Sequence, residues 1–191
     1  MRVEFHRTGE RRYGIVVHRD GLPVLRMNPA PGFDALMPHD LLHFVVEKEL
    51  GLRRGIFGQI ADGGTAGTFH LVEEPASKSN SKTNSRRRRA VQERGKKLLE
   101  KGQTDCEQSE RATYICLYDW LSNFSKPELK RRAAQMKDNA QSVLNSMSDA
   151  ERKSFDDKFL AGVRTYLDKL SSQWTALETG EFLTVEWSPQ K

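Results

Sequence analysis

The residues best suited to chemistry lie in Pro38-His39-Asp40-Leu41-Leu42-His43-Phe44-Val45-Val46-Glu47, where imidazoles and carboxylates are strung through an apolar run. On a helix advancing 100° per residue from His39, His43 falls at about 40°, Glu47 at about 80° and Asp40 at about 100°. The four share one face, and Leu41, Leu42, Phe44, Val45 and Val46 fill most of the rest. A helix apolar nearly all round is buried, and polar groups on a buried helix need partners.

One fitting partner is a divalent, zinc-like metal. Histidines at i and i+4 sit on adjacent turns and can place two imidazoles on one ion. Such an ion would activate water or hold an oxygen-bearing small-molecule substrate, with His39 and His43 as ligands. Asp40 or Glu47 would then be the base, or a group orienting an imidazole. Eight residues at 1.5 Å rise separate the Cα atoms of His39 and Glu47 by roughly 12 Å, too far for one ion to take both easily. The workable sets are His39 with His43 and a third ligand from His18, His70, Glu73 or Glu74, of which His70 is the one expected, or His43 with Asp40 or Glu47 in support. Two plainer accounts use the same residues. His39 is then a first-turn residue beside Pro38, Asp40 favours the positive helix N-terminus, and His43 with Glu47 is an i,i+4 ion pair. In the other, His43 and Asp40 form a metal-free polar pocket that binds a small molecule or exchanges a proton.

The H-D-x-x-H pattern resembles the H-E-x-x-H motif of zinc hydrolases over five residues. Asp40 stands where that family keeps its general-base glutamate, with a side chain one methylene shorter. The pattern is also similar to the metal motif of coenzyme Q biosynthesis proteins, a largely helical family. That family adds a glutamate about a dozen residues after the second histidine, where this chain has Gly55. More broadly, P-H-D-L-L-H-F-V-V-E-K-E-L-G-L and G-I-F-G-Q-I-A look like a class of uncharacterised bacterial proteins, which supplies no function.

The elements that must position these residues begin with strands. Val3–His6, Arg12–His18 and Leu22–Arg26 are short β-type runs separated by Thr8-Gly9-Glu10 and Asp20-Gly21, which predicts an antiparallel meander. Asn28 to Gly32 is expected to be a loop stiffened by two prolines, leading into the His39 helix, which Gly51 ends. A short helix over Leu52–Ala61 and a strand over Thr68–Val72 follow.

From Pro75 the composition turns to Ser, Lys, Asn and Thr, which predicts a flexible linker over 75–90 between an N-terminal α+β part (1–74) and a helical part (91–191). The linker runs into Arg86, Arg87, Arg88 and Arg89, and basic residues continue to Lys101. With a net charge of +5 and a pI near 9.3, this arm offers an alternative, non-catalytic function: binding nucleic acid or an acidic protein through its phosphates or carboxylates. No zinc-finger or helix-turn-helix signature accompanies it, and a solvated arm is the simpler account.

Asp105-x-x-Gln108, Ser125-x-x-Glu128 and Ser148-x-x-Glu151 predict three helix starts, each followed by an apolar stripe. Lys130, Arg131 and Arg132 read as a solvated face. After Thr179-Gly180, Glu181–Trp187 alternates as a strand with no partner in the helical part. An unpaired strand exposes its backbone, so it is expected to return to the N-terminal sheet and complete one α+β domain. With 191 residues, 37% hydrophobic and 30% charged, the chain has a modest core and no apolar run of the roughly 18 to 20 residues a membrane span needs. The expected location is cytoplasmic, with Cys106 and Cys116 as reduced thiols.

Overall fold

A computed structural model of the chain describes residues 1–72 and 81–188, without the side chains of 81–84 and 87. Strands β1 (Arg2–Gly9), β2 (Arg12–His18) and β3 (Leu25–Ala30) form the expected antiparallel meander. Their period-two pattern sends Val3, Phe5, Tyr13, Ile15, Val17 and Leu25 to one face, each 0% exposed. The final strand, β5 (Phe182–Glu186), pairs antiparallel with β1, placing Leu183 opposite Phe5 and Val185 opposite Val3. A two-residue β4 (His70–Leu71) completes the order β4-β3-β2-β1-β5.

The third strand is shifted from its expected place. It starts at Leu25 and runs through Asn28-Pro29 to Ala30, where a loop was expected. Ile15 pairs with Met27 and Tyr13 with Ala30, so β3 carries an extra residue and bulges at the proline. The other neighbour, β4, pairs only with Leu25 and Arg26, so Pro29 lies on an open edge where its missing donor costs nothing.

Helix α1 (His39–Leu50) starts just after Pro38 and ends on Gly51 at φ 66°, the left-handed position glycine tolerates. It is buried from Asp40 to Glu47. Beside it lies α2 (Ile56–Ala61). The C-terminal part holds α3 (Ser81–Ser122), α4 (Pro127–Ser146), a five-residue α5 (Asp149–Lys153) and α6 (Asp157–Thr175).

Three expected boundaries move. Residues 81–90 of the predicted linker are helix, the first turns of the 42-residue α3, because Lys, Arg and Ala are good helix formers even with nothing to bury. Residues 75–80 lie outside the described residues. Asp105 is therefore inside α3, and its carboxylate accepts the Arg54 backbone N–H at 2.8 Å. Ser125 caps nothing, since α4 opens on Pro127. Ser148 does accept the Glu151 N–H, but for α5 only, and α6 has its own cap in Asp156, which accepts from Phe159.

The inner face of the sheet meets α1, which also touches α3 and α6. Phe44 packs edge-on against Phe5, Phe57 and Trp187 at centroid separations of 6.5, 5.1 and 5.5 Å. One cluster of buried side chains runs from Val3 and Phe5 through Trp120, Leu167 and Trp174 to Trp187, drawing on both halves of the chain.

Candidate metal centre

Three different neighbours divide the polar arc of α1. At its centre His43 is 1% exposed. Its Nδ1 lies 2.8 Å from Ser109 Oγ and 3.2 Å from Thr113 Oγ1, both on α3. The Ser109 hydroxyl donates to Glu47 Oε1 at 2.9 Å, so its oxygen is left to accept from the imidazole. That assigns the proton to Nδ1 and a lone pair to Nε2. Burial, helped by the neighbouring His39, pushes the His43 pKa down to about 3, so the ring is neutral at ordinary pH.

Among the described residues the buried His43 Nε2 has no hydrogen-bond partner. Its nearest acid, Glu110 Oε1 on α3, is 3.6 Å away, too far for a hydrogen bond, and with a neutral imidazole the contact is not an ion pair. The His39 ring stands edge-on to it at 4.6 Å between centroids. His39, His43 and Glu110 each present a ligand atom, all within 4.8 Å of one another. A tetrahedral zinc at 2.0–2.1 Å from each donor needs separations of roughly 3.4 Å. His39 and Glu110 are exposed and free to close that gap, whereas His43 is fixed.

Glu47 serves another purpose. It is 0% exposed, and besides the Ser109 hydroxyl it accepts the backbone N–H groups of Ile56 and Phe57, each at 2.9 Å. These are orphan donors at the start of α2, so Glu47 caps that helix from a distance. A Cβ on Gly55 would lie 2.5 Å from Glu47 Cδ, which is why position 55 is glycine and carries no carboxylate. Burial raises the Glu47 pKa to about 7 against the pull of these bonds. The expected base is thus tied into the scaffold, one hydroxyl away from His43.

Asp40 is 8% exposed and faces the Tyr13 hydroxyl, which also faces the Pro31 carbonyl. One phenolic proton cannot donate to both oxygens at once, so the Asp40 carboxylate and the Pro31 carbonyl compete for it. Burial raises the Asp40 pKa against the Tyr13 bond; His39 lowers it and Glu110 raises it, which puts Asp40 in the field of the ligand group.

Comparison with family models, curated proteins and solved structures finds no match for this chain.

His70 is not brought to α1. It pairs with Arg26 on the edge strand, between inward-facing Leu25 and Met27, so its side chain lies on the outer face of the sheet while α1 packs on the inner one. There it lines a shallow cleft with Arg26 and Asn28. His18 is on the outer face too, against Glu4. Glu73 and Glu74 lie outside the described residues. Glu110, the candidate ligand from α3, has no counterpart among the residues expected from the sequence. An exposed acid carries no sequence signal, but Ser109 and Thr113 do: two hydroxyl residues four apart beside buried Ala112 and Cys116 mark a polar contact on an apolar helix face. On the basic arm, Arg86, Arg88 and Arg89 are exposed on α3, and the Arg87 side chain lies outside the described residues. Among the described residues no helix is long and apolar enough to cross a membrane.

Proposed function

We propose that this protein holds one divalent, zinc-like metal on His39, His43 and Glu110 and acts as a metal-dependent hydrolase in the cytoplasm. The observation carrying this reading is His43 Nε2: buried, without a hydrogen-bond partner among the described residues, and flanked by the ligand atoms of His39 and Glu110. An unsatisfied nitrogen there costs about 1–3 kcal/mol unless something binds it, and its tautomer is already set to offer a lone pair. The Glu47–Ser109–His43 chain is the carboxylate support that metal-bound imidazoles use. Two histidines and a glutamate leave one position for water, the pattern of catalytic rather than structural zinc. Bound water there would ionise near neutral pH, and Asp40, with its raised pKa, is suited to accept the proton.

The test is metal uptake. Wild-type protein stripped with chelator and re-exposed to zinc or cobalt should take up one equivalent. His39→Ala with His43→Ala should take up none, and Glu110→Gln should bind more weakly. Wild-type protein that takes up neither metal overturns the reading.

A second reading rests on Arg86, Arg88 and Arg89, exposed together on the first turns of α3 in a chain of net charge +5. Such an arm would bind nucleic acid through its phosphates, without base readout. Affinity for a random duplex should then fall steeply with salt, the slope shrinking by about 0.9 for each phosphate contact removed. A slope unchanged by Arg86→Ala with Arg89→Ala would reject it.

A further inference from the structure

His39 faces a cleft of about 230 Å³ as well as the ligand group, and that cleft is built from parts the metal reading does not use. Its walls are apolar: Phe33 and Met37 from the segment before α1, Leu42 from α1, Leu117 and Trp120 from α3. Its polar members are His39, Asp34 and Arg132. Gly32 closes the edge at φ 72°, and a Cβ there would come within 2.7 Å of His39 Cβ, so glycine is what lets the segment lie against the histidine.

Arg132 differs from the exposed Lys130 and Arg131: its side chain is 39% exposed and pairs with Asp34, Nη1 lying 2.6 Å from Oδ2. Each Asp34 oxygen has a partner of its own, Oδ1 accepting the Leu36 N–H at 2.8 Å and the carbonyl accepting the Trp174 indole N–H at 3.3 Å. A guanidinium has five N–H donors, and one ion pair leaves most of them unspent. What the cleft has left over is therefore donor capacity at one end. At the other end is a metal position whose two histidines and one carboxylate would leave a divalent ion net positive.

We infer that this cleft binds a small organic carboxylate with an apolar or aromatic body, its carboxylate on Arg132 and its far end toward His39. The reaction end of this inference rests on the metal reading; the Arg132 end does not. The planar guanidinium suits a carboxylate through paired N–H···O bonds, and the apolar walls suit the body. The volume is below the roughly 300–1,000 Å³ of pockets for drug-sized ligands, which limits the ligand to on the order of ten heavy atoms. A cationic ligand is disfavoured beside Arg132 by like charge.

The experiment uses three probes with one body: 3-phenylpropanoate, 3-phenylpropan-1-ol and 3-phenylpropylammonium, titrated calorimetrically into zinc-loaded and metal-free protein. The carboxylate should bind at least about tenfold tighter than the alcohol, and the ammonium not measurably. Arg132→Met should remove that preference and leave alcohol binding unchanged. Leu117→Trp, which fills the cleft, should abolish both. Asp34→Asn, which frees the guanidinium, should tighten the carboxylate, and it provides a reading should Arg132→Met fail to fold. Equal affinities for acid and alcohol, or acid binding untouched by Arg132→Met, overturn the inference. Zinc content is measured on the same samples. Full zinc uptake without carboxylate binding defeats the cleft alone, whereas absent zinc uptake defeats the metal reading and leaves the cleft to be decided by the Arg132 arms in metal-free protein.

Discussion

Two clusters in this molecule have the same donor set, two histidines and one glutamate, yet the chain has used them in opposite ways. On the outer face of the sheet, Glu4 is a hub: Oε2 lies 3.0 Å from His6 Nε2 and Oε1 3.2 Å from His18 Nε2, the latter close but poorly aligned. Arg2 adds a contact at 3.4 Å, and His6 stacks on Phe182 at 4.7 Å. Burial works to raise the Glu4 pKa, but the bonds from His6 and His18 and the charges of His18 and Arg2 outweigh it and hold the carboxylate below its ordinary value. Both imidazoles there point Nε2 at the same acid, although among the described residues only His6 makes a hydrogen bond to it and His18 Nε2 is, like His43 Nε2, without one. Between α1 and α3 the arrangement is reversed. The acid that anchors the imidazole acts through Ser109 on Nδ1, and the second acid, Glu110, stops short of Nε2. A donor set becomes a binding site when one nitrogen is tied and the other is left bare, and residue types alone do not reveal this.

The comparison breaks most readily at its centre. His43→Ala should reduce zinc affinity by more than the roughly 100-fold that loss of an outer partner costs, while His6→Ala with His18→Ala should leave it unchanged. Competition with a chelating dye measures both, and equal losses at the two clusters would dissolve the distinction. Next in size is the support. Ser109→Ala keeps all three ligands but unties Nδ1, and should cost roughly 10–100-fold in zinc affinity. Gly55→Ala tests the other end of that support. A methyl 2.5 Å from the Glu47 carboxyl carbon must displace it, destabilising the fold by about 1–3 kcal/mol in urea unfolding.

The pH dependence of stability separates the two buried groups. In the fold His43 stays neutral from its ordinary 6.5 down to about 3, whereas the unfolded chain takes up the proton. Its contribution is present above pH 6.5 and is lost as pH falls toward 3. Glu47 is raised from 4.5 to about 7, so its contribution is full below pH 4.5 and is lost as pH rises through 7. Between pH 4.5 and 6.5 the two oppose each other. With chelator present, Glu47→Gln should show stability rising with pH across that window and His43→Gln should show it falling. Parallel profiles for the two variants would mean neither group is buried as described. The smallest effect belongs to the sheet. Glu4→Gln should change stability by no more than about 1 kcal/mol, as partly exposed ion pairs do.

Much of this was legible because it follows a period. Alternation gave the strands, and the apolar run around His39 and His43 gave a buried helix with one polar arc. The unpaired C-terminal strand pointed to the sheet by its backbone alone. Glu110 was not legible, since one exposed acid among 26 acidic residues repeats nothing. Nor was the role of Glu47, whose partners are backbone donors of a helix nine residues on. The start of α3 was hidden for a different reason: Ser and Arg without apolar neighbours read as a linker, although their helix propensity suffices once a long packed helix extends N-terminally.

The pairing of β5 with β1 has a consequence for biosynthesis. Phe182–Glu186 is translated long after β1, yet it covers one edge of that strand, and Trp187 packs against Phe44 on the helix bearing both histidines. Until the ribosome releases that segment, β1 offers a bare edge and α1 lacks part of its apolar cover, with everything between the two strands forming the loop to be closed. The N-terminal half should therefore wait on chaperones rather than fold as it emerges. A nonsense codon near residue 180 should give an aggregating product with every proposed ligand still encoded.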